Sequence, residues 1–173
     1  MATNVLVPVS EYLQTSYSPD CDYVDGEVQE RNLGEVEHAD LQSQLLELLR
    51  MPSAKVYVRA TTELRLQVKE TRFRVPDICV RRASAHKERI VRLAPLLCIE
   101  VLSPEDRMSR TLEKVRDYLE MGVPEVWVFD PETRSVLICK GATAVTQTAG
   151  ELRIPETPVA LSLADIFSAL DDY

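Results

Sequence analysis

The sequence lacks a long apolar segment, and this argues against a membrane span. A bilayer-crossing helix needs roughly 20 apolar residues, and the longest candidate, residues 93–102, is interrupted by Glu100. Residues 1–14 contain neither a basic region nor a small-residue cleavage site, so we expect no secretion signal. These absences predict a cytoplasmic protein that does not associate with membranes.

Closely spaced cysteines are also missing. None of the four cysteines forms a Cys-x-x-Cys pair, and three of them lie in apolar, strand-like runs. A metal-binding or redox-active cysteine motif is therefore not expected. The interpretation that remains is buried, reduced thiols that pack as small hydrophobic side chains. They are Cys21, Cys79, Cys98 and Cys139.

An excess of positive charge is absent as well. The formal net charge is −8, which argues against a general nucleic-acid binder because attraction to phosphates is mostly electrostatic. The basic residues are nevertheless concentrated, since residues 65–92 hold nine basic and three acidic side chains. This stretch predicts either a local phosphate-facing surface or strand edges that are protected from pairing by charge.

The pattern of apolar residues predicts an α/β fold with a mixed sheet flanked by helices. At 173 residues, the length prior indicates one domain, residues 1–173. The first predicted elements are a helical turn at 9–16, a hairpin at 23–28 and a helix from a capping box at Asn32 and Glu35 to about Arg50. Strands follow at 55–60, 63–68, 72–80 and 96–102, and then a helix at 107–121 with Met108, Leu112, Val115 and Leu119 facing inward. The last elements are a strand at 126–129, a hairpin at 135–147 and a final helix at 163–170 capped by Ser162.

Two features of this series define the predicted topology. The alternation of apolar and polar residues in the strands between 55 and 80 predicts an antiparallel meander. The later order of strand, helix and strand, at 96–102, 107–121 and 126–129, predicts a parallel pair with a right-handed crossover.

Two acidic residues stand in places where an apolar residue is expected. Glu100 lies in the middle of the predicted central strand, and Asp77 precedes the apolar run 78–80. A lone buried carboxylate costs several kcal/mol. If the two strands are adjacent, both acids converge, and two bare carboxylates at about 4 Å repel each other by roughly 4 kcal/mol at a dielectric constant of 20.

In the predicted pair, either one acid takes a proton or a cation lies between the two. Hard oxygen ligands, without a cluster of cysteine or histidine, favour Mg²⁺ or Mn²⁺. The alternatives are that Asp77 caps a turn and that Glu100 pairs with an arginine.

A series of motifs now resembles a known family. They are Tyr23-Val24-Asp25-Gly26-Glu27, His38 on the first long helix, Arg74-Val75-Pro76-Asp77, Glu100-Val101-Leu102-Ser103-Pro104, Lys114 with Tyr118, and Gly122-Val123-Pro124-Glu125-Val126-Trp127-Val128-Phe129-Asp130-Pro131. Together they resemble the Uma-type family of proteins described as restriction endonucleases. That family is abundant in cyanobacteria and belongs to the PD-(D/E)XK nuclease superfamily. The resemblance covers about residues 8–170.

The resemblance implies a restriction-endonuclease-like αβββαβ core and Mg²⁺-dependent cleavage of DNA. It implies that Asp77 and Glu100 hold the metal, helped by the carbonyl of Val101. The superfamily's lysine, two residues after the second acid, is replaced by Leu102. The resemblance offers Lys114 instead; the alternative is an exposed lysine that contacts Tyr118 or pairs on the helix face of Glu113.

His38 has two interpretations. It lies on the apolar stripe of its helix, which is typical of a core histidine, whereas the resemblance implies a water-mediated metal contact or a phosphate contact.

The expected function is that of a metal-dependent DNA endonuclease, and the resemblance implies a homodimer because a duplex needs two cuts. The rival is a nuclease-fold binding or regulatory module with weak or no cleavage, which the charge and the missing Glu-x-Lys favour. A third possibility is a role without nucleic acid, in which the acidic part of the chain outside residues 65–92 assembles with a partner.

Overall fold

The most apolar segments of the chain form the central sheet of this computed structural model, which describes residues 6–31, 34–105 and 107–171. The elements are α1 (Val9–Gln14), β1 (Asp22–Val24), β2 (Glu27–Gln29), α2 (Val36–Arg50), α3 (Pro52–Lys55), β3 (Val58–Thr61), β4 (Leu66–Lys69), β5 (Arg72–Arg74), β6 (Ile78–Arg82), β7 (Leu97–Val101), α4 (Met108–Met121), β8 (Glu125–Asp130), β9 (Ser135–Lys140), β10 (Thr143–Gln147), β11 (Glu151–Arg153), β12 (Ala160–Ser162), α5 (Leu163–Phe167) and a 3₁₀ turn (Ser168–Leu170).

A six-stranded mixed sheet has the order β10-β9-β8-β7-β6-β3. Only β7 and β8 are parallel, and α4 connects them, as the sequence predicted. Because β3, β6 and β7 are neighbours in the sheet, the series α2, β3, β6, β7, α4, β8 forms the expected αβββαβ core. The predicted fold class, a mixed sheet flanked by helices, is therefore confirmed.

The two faces of this sheet carry separate cores. On one face, Leu41, Leu45 and Leu49 of α2 pack with β6, β7 and the C-terminal helix. The helix begins at Val36 with Glu35 as its N-cap, whereas Asn32, the predicted cap, lies outside the described residues. On the other face, α4 and β4 cover Cys79 and Cys98. All four cysteines are buried and unpaired, as predicted.

The predicted meander is wrong. The segment 72–80 forms two strands, β5 and β6, that lie in different sheets. After β3, the chain leaves the central sheet and contributes β4 and β5 to a second sheet, of order β2-β1-β5-β4. It returns to the central sheet at β6. The predicted strand 55–60 is shorter than expected, because residues 55–57 are not part of it. Lys55 is the last residue of α3, and Val56 and Tyr57 are exposed.

The inward face of α4 differs from the expected apolar stripe. Val115 is buried, but Met108 is 45% exposed. The other buried positions of the helix are polar or amphipathic: Thr111, Lys114, Asp117 and Tyr118. The helix therefore brings charged groups to the sheet, and its end at Gly122, with φ of 104°, uses a backbone conformation that glycine adopts without strain.

The short elements agree closely with the sequence patterns. The hairpin β1–β2 turns at Asp25 and Gly26, both with positive φ. The β9–β10 hairpin turns around Gly141, and the side chain of Ser162 caps α5 by accepting a hydrogen bond from the Asp165 amide. Among the described residues, no helix is long and apolar enough to cross a membrane.

A buried ion network joins the second sheet to α4. Arg74 is fully buried, and its guanidinium lies 2.8 Å from Asp117, 3.2 Å from Asp22 and 3.0 Å from Glu113. Asp22 also accepts a hydrogen bond from the Val75 amide. Two buried carboxylates and one partly exposed carboxylate thus compensate the charge of Arg74.

Replacing Asp117 with alanine should lower the free energy of unfolding by about 3–5 kcal/mol, because Arg74 loses a buried counter-charge. Urea unfolding followed by circular dichroism measures this. The matched control is Glu113→Ala, which removes a carboxylate that also contacts Arg74 but is 49% exposed; its cost should stay below about 1 kcal/mol. Equal effects of the two substitutions would contradict this account.

Candidate active site

Asp77 and Glu100 face each other across two adjacent strands. The register pairs Ile78 of β6 with Ile99 of β7, so one step further Asp77 stands opposite Glu100 on the same side of the sheet. Opposite residues of antiparallel strands have Cβ atoms about 5 Å apart. Both residues are almost fully buried, at 4% and 5% exposure. The predicted convergence of the two acids is therefore present in the structure.

The carboxylate of Asp77 is surrounded by hydrogen-bond donors. Oδ1 forms an ion pair with Arg31, while Oδ2 accepts a 2.8 Å hydrogen bond from the Val101 amide and lies 3.3 Å from Nε2 of His38. Gln42 of α2 also donates to the backbone carbonyl of Asp77, at 2.9 Å. Asp77 is thus held by contacts from α2, β7 and the segment after β2.

The carboxylate of Glu100 is held by two residues of α4. Nζ of Lys114 lies 2.6 Å from Oε2, and the Tyr118 hydroxyl donates a 2.7 Å hydrogen bond to Oε1. Lys114 and Tyr118 are four residues apart, so they occupy one face of the helix. The alternative of an exposed Lys114 is wrong, because the residue is buried.

Burial and neighbouring charges separate the pKa values of the two acids. Burial raises the pKa of Asp77, but the hydrogen bond with His38 and the charges of Arg31 and Lys114 outweigh it and lower the pKa to about 2. Burial and the nearby charge of Asp77 raise the pKa of Glu100 to about 7, although Lys114 opposes the shift. The pKa of Asp77 is therefore lowered and that of Glu100 is raised, so the two acids differ in their tendency to hold a proton.

The cations of the site keep their charge. Burial lowers the pKa of Lys114, but the charges of Glu100, Asp22 and Asp77 raise it more, so the net shift is upward. Burial likewise opposes ionisation of Arg31, whose pKa is raised overall by Asp77 and Glu100. The acids therefore face protonated partners.

The groups surround a pocket of about 50 Å³. Its lining contains the predicted residues Asp77, Glu100, Val101, Lys114 and His38 together with others that sequence reasoning did not select. These others are Asp22, Arg31, Leu102, Ser103, Arg110 and Thr111. Thr111 lies three residues before Lys114 on the same helix face, and this spacing could have indicated that it lines the pocket. No local sequence pattern at Arg31 indicates a contact with Asp77, which is 46 residues away.

His38 belongs to the pocket rather than to the core. The helix positions it one turn before Leu41, and its ring faces Asp77 instead of the leucine cluster. Its interpretation as a core histidine is therefore wrong, while its role in binding metal or phosphate stays a prediction.

The fold and this pocket define a class: α/β proteins with a restriction-endonuclease-like core and an acidic pair on neighbouring strands. The chain belongs to the Uma2 family, described as "Putative restriction endonuclease", whose model matches residues 9–170. The match covers nearly the whole chain.

A solved structure agrees in fold. It is the crystal structure of "a putative nuclease belonging to DUF820" from Anabaena variabilis, with a TM-score of 0.81 and 23% sequence identity, over 94% of this chain and 99% of that chain. No curated protein has a matching sequence. The resemblance to the Uma-type family that the motifs indicated is thus confirmed.

The raised pKa of Glu100 has a consequence for stability in a metal-free buffer with chelator. The ordinary value is 4.5 and the folded value is about 7, so the folded state retains a proton that the unfolded state has lost. Between these pH values, the free energy of unfolding should fall with rising pH by at most about 1.4 kcal/mol per pH unit. The Glu100→Gln variant should lack this contribution, so denaturant titrations across this range should give a flatter profile. Parallel profiles would show that Glu100 titrates alike in both states.

Proposed function

We propose that the protein is a metal-dependent endonuclease that hydrolyses phosphodiester bonds of DNA. Its site consists of Asp77, Glu100, Lys114 and His38 in one restriction-endonuclease-like domain, residues 1–173. The observation that carries the proposal is the facing pair Asp77–Glu100 with the Lys114 ammonium 2.6 Å from Glu100.

The donors present suit a hard divalent cation. Asp77 and Glu100 offer carboxylate oxygens, which Mg²⁺ and Mn²⁺ prefer. The Val101 amide points at Asp77, and in a strand the amide and carbonyl of one residue point to the same side, so the Val101 carbonyl would supply a third oxygen ligand. Among the residues that the structure describes, no group of three or more histidine, cysteine or acidic side chains forms a metal cluster, so the proposed site depends on this backbone oxygen.

The residues of the chain have distinct roles in the proposed reaction. When bound, the cation supplies Lewis acidity toward the phosphate and makes water more acidic. Lys114 orients the attacking water or balances the charge that develops on the phosphate. Tyr118 positions the Glu100 carboxylate through its hydroxyl hydrogen bond. His38, which lies beside Asp77, would contact the metal through a water molecule, or would contact the phosphate.

Arg31 is a competitor for the metal in this proposal. Its guanidinium pairs with Oδ1 of Asp77, and thereby neutralises the charge that attracts a cation. Metal binding requires Arg31 to leave this oxygen. Once released, its planar fork of donors suits a phosphate group.

A second candidate function is a binding or regulatory module with little or no cleavage. The surfaces on both sides of the pocket favour it, because they are lined by carboxylates that repel a phosphate backbone. These acids are Glu30, Glu35, Glu37, Glu105, Asp130 and Glu132. For the endonuclease, we further propose a homodimer, which gives one site for each strand of a duplex, and a cytoplasmic location.

Nicking of supercoiled plasmid tests the leading proposal. With Mg²⁺ or Mn²⁺, the native protein should nick the plasmid, and Asp77→Asn, Glu100→Gln and Lys114→Met should each reduce the rate by about a hundredfold or more, since each removes part of the charge stabilisation. Glu125→Gln, at the opposite end of the sheet, is the matched control and should retain the rate.

The two candidate functions give different results in this assay. Metal binding without nicking supports the binding module. Equal nicking by every variant indicates a contaminating nuclease and removes the case for an enzyme.

Replacement of Arg31 by glutamine tests the competition. The Kd for Mg²⁺ should fall about tenfold, because the cation no longer displaces a charge-assisted hydrogen bond. Isothermal titration calorimetry measures it without any need for turnover. Arg110→Gln is the control, since Arg110 lines the same pocket but donates to the Glu30 carbonyl. An unchanged Kd for Arg31→Gln would show that Arg31 does not compete.

A further inference from the structure

We propose a second binding site, for a phosphate group, at the β3–β6 edge of the central sheet, formed by Arg81 and Arg59. The site is separate from the pocket around Asp77. Four residues along an extended strand separate Arg81 from Asp77, which corresponds to about 13 Å. The proposal does not depend on cleavage and stands or falls independently of the endonuclease.

Arg81 is a buried arginine that has no acidic partner among the described residues. Only 8% of the residue is exposed. Its Nη1 donates to the His86 carbonyl at 3.2 Å, and its buried Nε has no hydrogen-bond partner among the described residues. No carboxylate in the described part of the chain forms an ion pair with it. A buried guanidinium in this state is costly unless an anion binds it.

Arg59 adds a second positive charge at the same place. It stands directly opposite Arg81 in the antiparallel register of β3 and β6, so the two Cβ atoms are about 5 Å apart on one face of the sheet. Like charges in this arrangement are destabilising. Arg59 is exposed and lies on the edge strand of the sheet, so a ligand can reach it from solvent.

Most of the basic residues of the stretch 65–92 differ from Arg81 because they have acidic partners. Arg65 pairs with Asp20, and Arg74 with Asp22 and Asp117. Lys69, Arg72 and Arg82 also have acidic partners. Five of the nine basic residues of the stretch are therefore paired with acids. Lys87, Arg89 and Arg92 are exposed to solvent, which leaves Arg81, with Arg59 opposite it, as the buried cation without an acidic partner among the described residues.

A phosphate group fits this charge and geometry. A guanidinium presents donors in a planar fork that matches two oxygens of a phosphate, and the free Nε belongs to that fork. Two guanidinium groups balance the double negative charge of a phosphate dianion. Lys87, which follows His86 in the loop that contacts Arg81, adds a further exposed cation. Free phosphate and a phosphate of a nucleic-acid backbone share this chemistry.

The first test is calorimetric titration and thermal unfolding of the metal-free protein, with chelator, in increasing inorganic phosphate. The native protein should show saturable binding and a saturable rise in Tm. Arg81→Met should weaken the binding about tenfold or more, because it removes charge-assisted hydrogen bonds, and should lose the rise in Tm. In phosphate-free buffer, its Tm should equal or exceed that of the native protein, since an uncompensated charge is gone.

Arg82→Met is the matched control. Arg82 is the next residue of β6, points to the other face and pairs with Glu156, so its loss should leave phosphate binding unchanged. If Arg81→Met does not fold, Arg59→Met, on the exposed edge, should weaken binding by a similar factor. An unsaturable rise in Tm, or the same rise in Arg81→Met, would reflect general salt stabilisation and overturn the proposal.

A labelled DNA duplex, in the same chelator, distinguishes the sources of the phosphate group. If the source is a nucleic-acid backbone, Arg81→Met should weaken duplex binding and lower the salt slope of log Kd by about 1. If only the binding of inorganic phosphate changes, the ligand is a free phosphate. If neither changes, the site does not exist.

Discussion

The burial of four carboxylates governs the architecture of this protein. Asp22, Asp77, Glu100 and Asp117 are each at most 5% exposed, and a buried carboxylate must be paired. Arg74 pairs with both Asp22 and Asp117, Arg31 with Asp77, and Lys114 with Glu100. The pairs of Lys114 and Arg31 connect α4 and the segment after β2 to the central sheet, and the pair of Arg74 with Asp117 connects the second sheet to α4. The pocket exists because these elements must meet at the same end of β6 and β7.

This charge balance also bears on function. Without a metal, Arg31 and Lys114 already neutralise the two acids of the pocket. A divalent cation would therefore gain less from this site than from two bare carboxylates. In the proposed endonuclease, metal binding would compete with the contact between Arg31 and Asp77. The acidic surroundings of the pocket act in the same direction against a phosphate backbone.

Positive charge is distributed in a complementary way. Five of the nine basic residues of the stretch 65–92 pair with acids elsewhere in the fold. Arg81 differs from the other unpaired basic residues of the stretch, which are exposed, because it is buried on β6 without an acidic partner among the described residues. Arg81 lies beside the edge strand β3 and away from Asp77. Phosphate binding at Arg81 can therefore be tested independently of catalysis.

The sequence by itself determined the elements whose signal is local. The turn at Asp25-Gly26, the cap at Ser162 and the apolar run of β7 follow from backbone conformation, hydrogen bonding and period. Glu100 was conspicuous because an acid in an apolar strand needs a partner. Only the tertiary structure decided that partner, since Lys114 and Tyr118 approach Glu100 from a helix that packs across the sheet. The same holds for Arg31, and for the separation of β5 from β6, because strand pairing depends on contacts between residues far apart in the chain, which alternation along one segment does not encode.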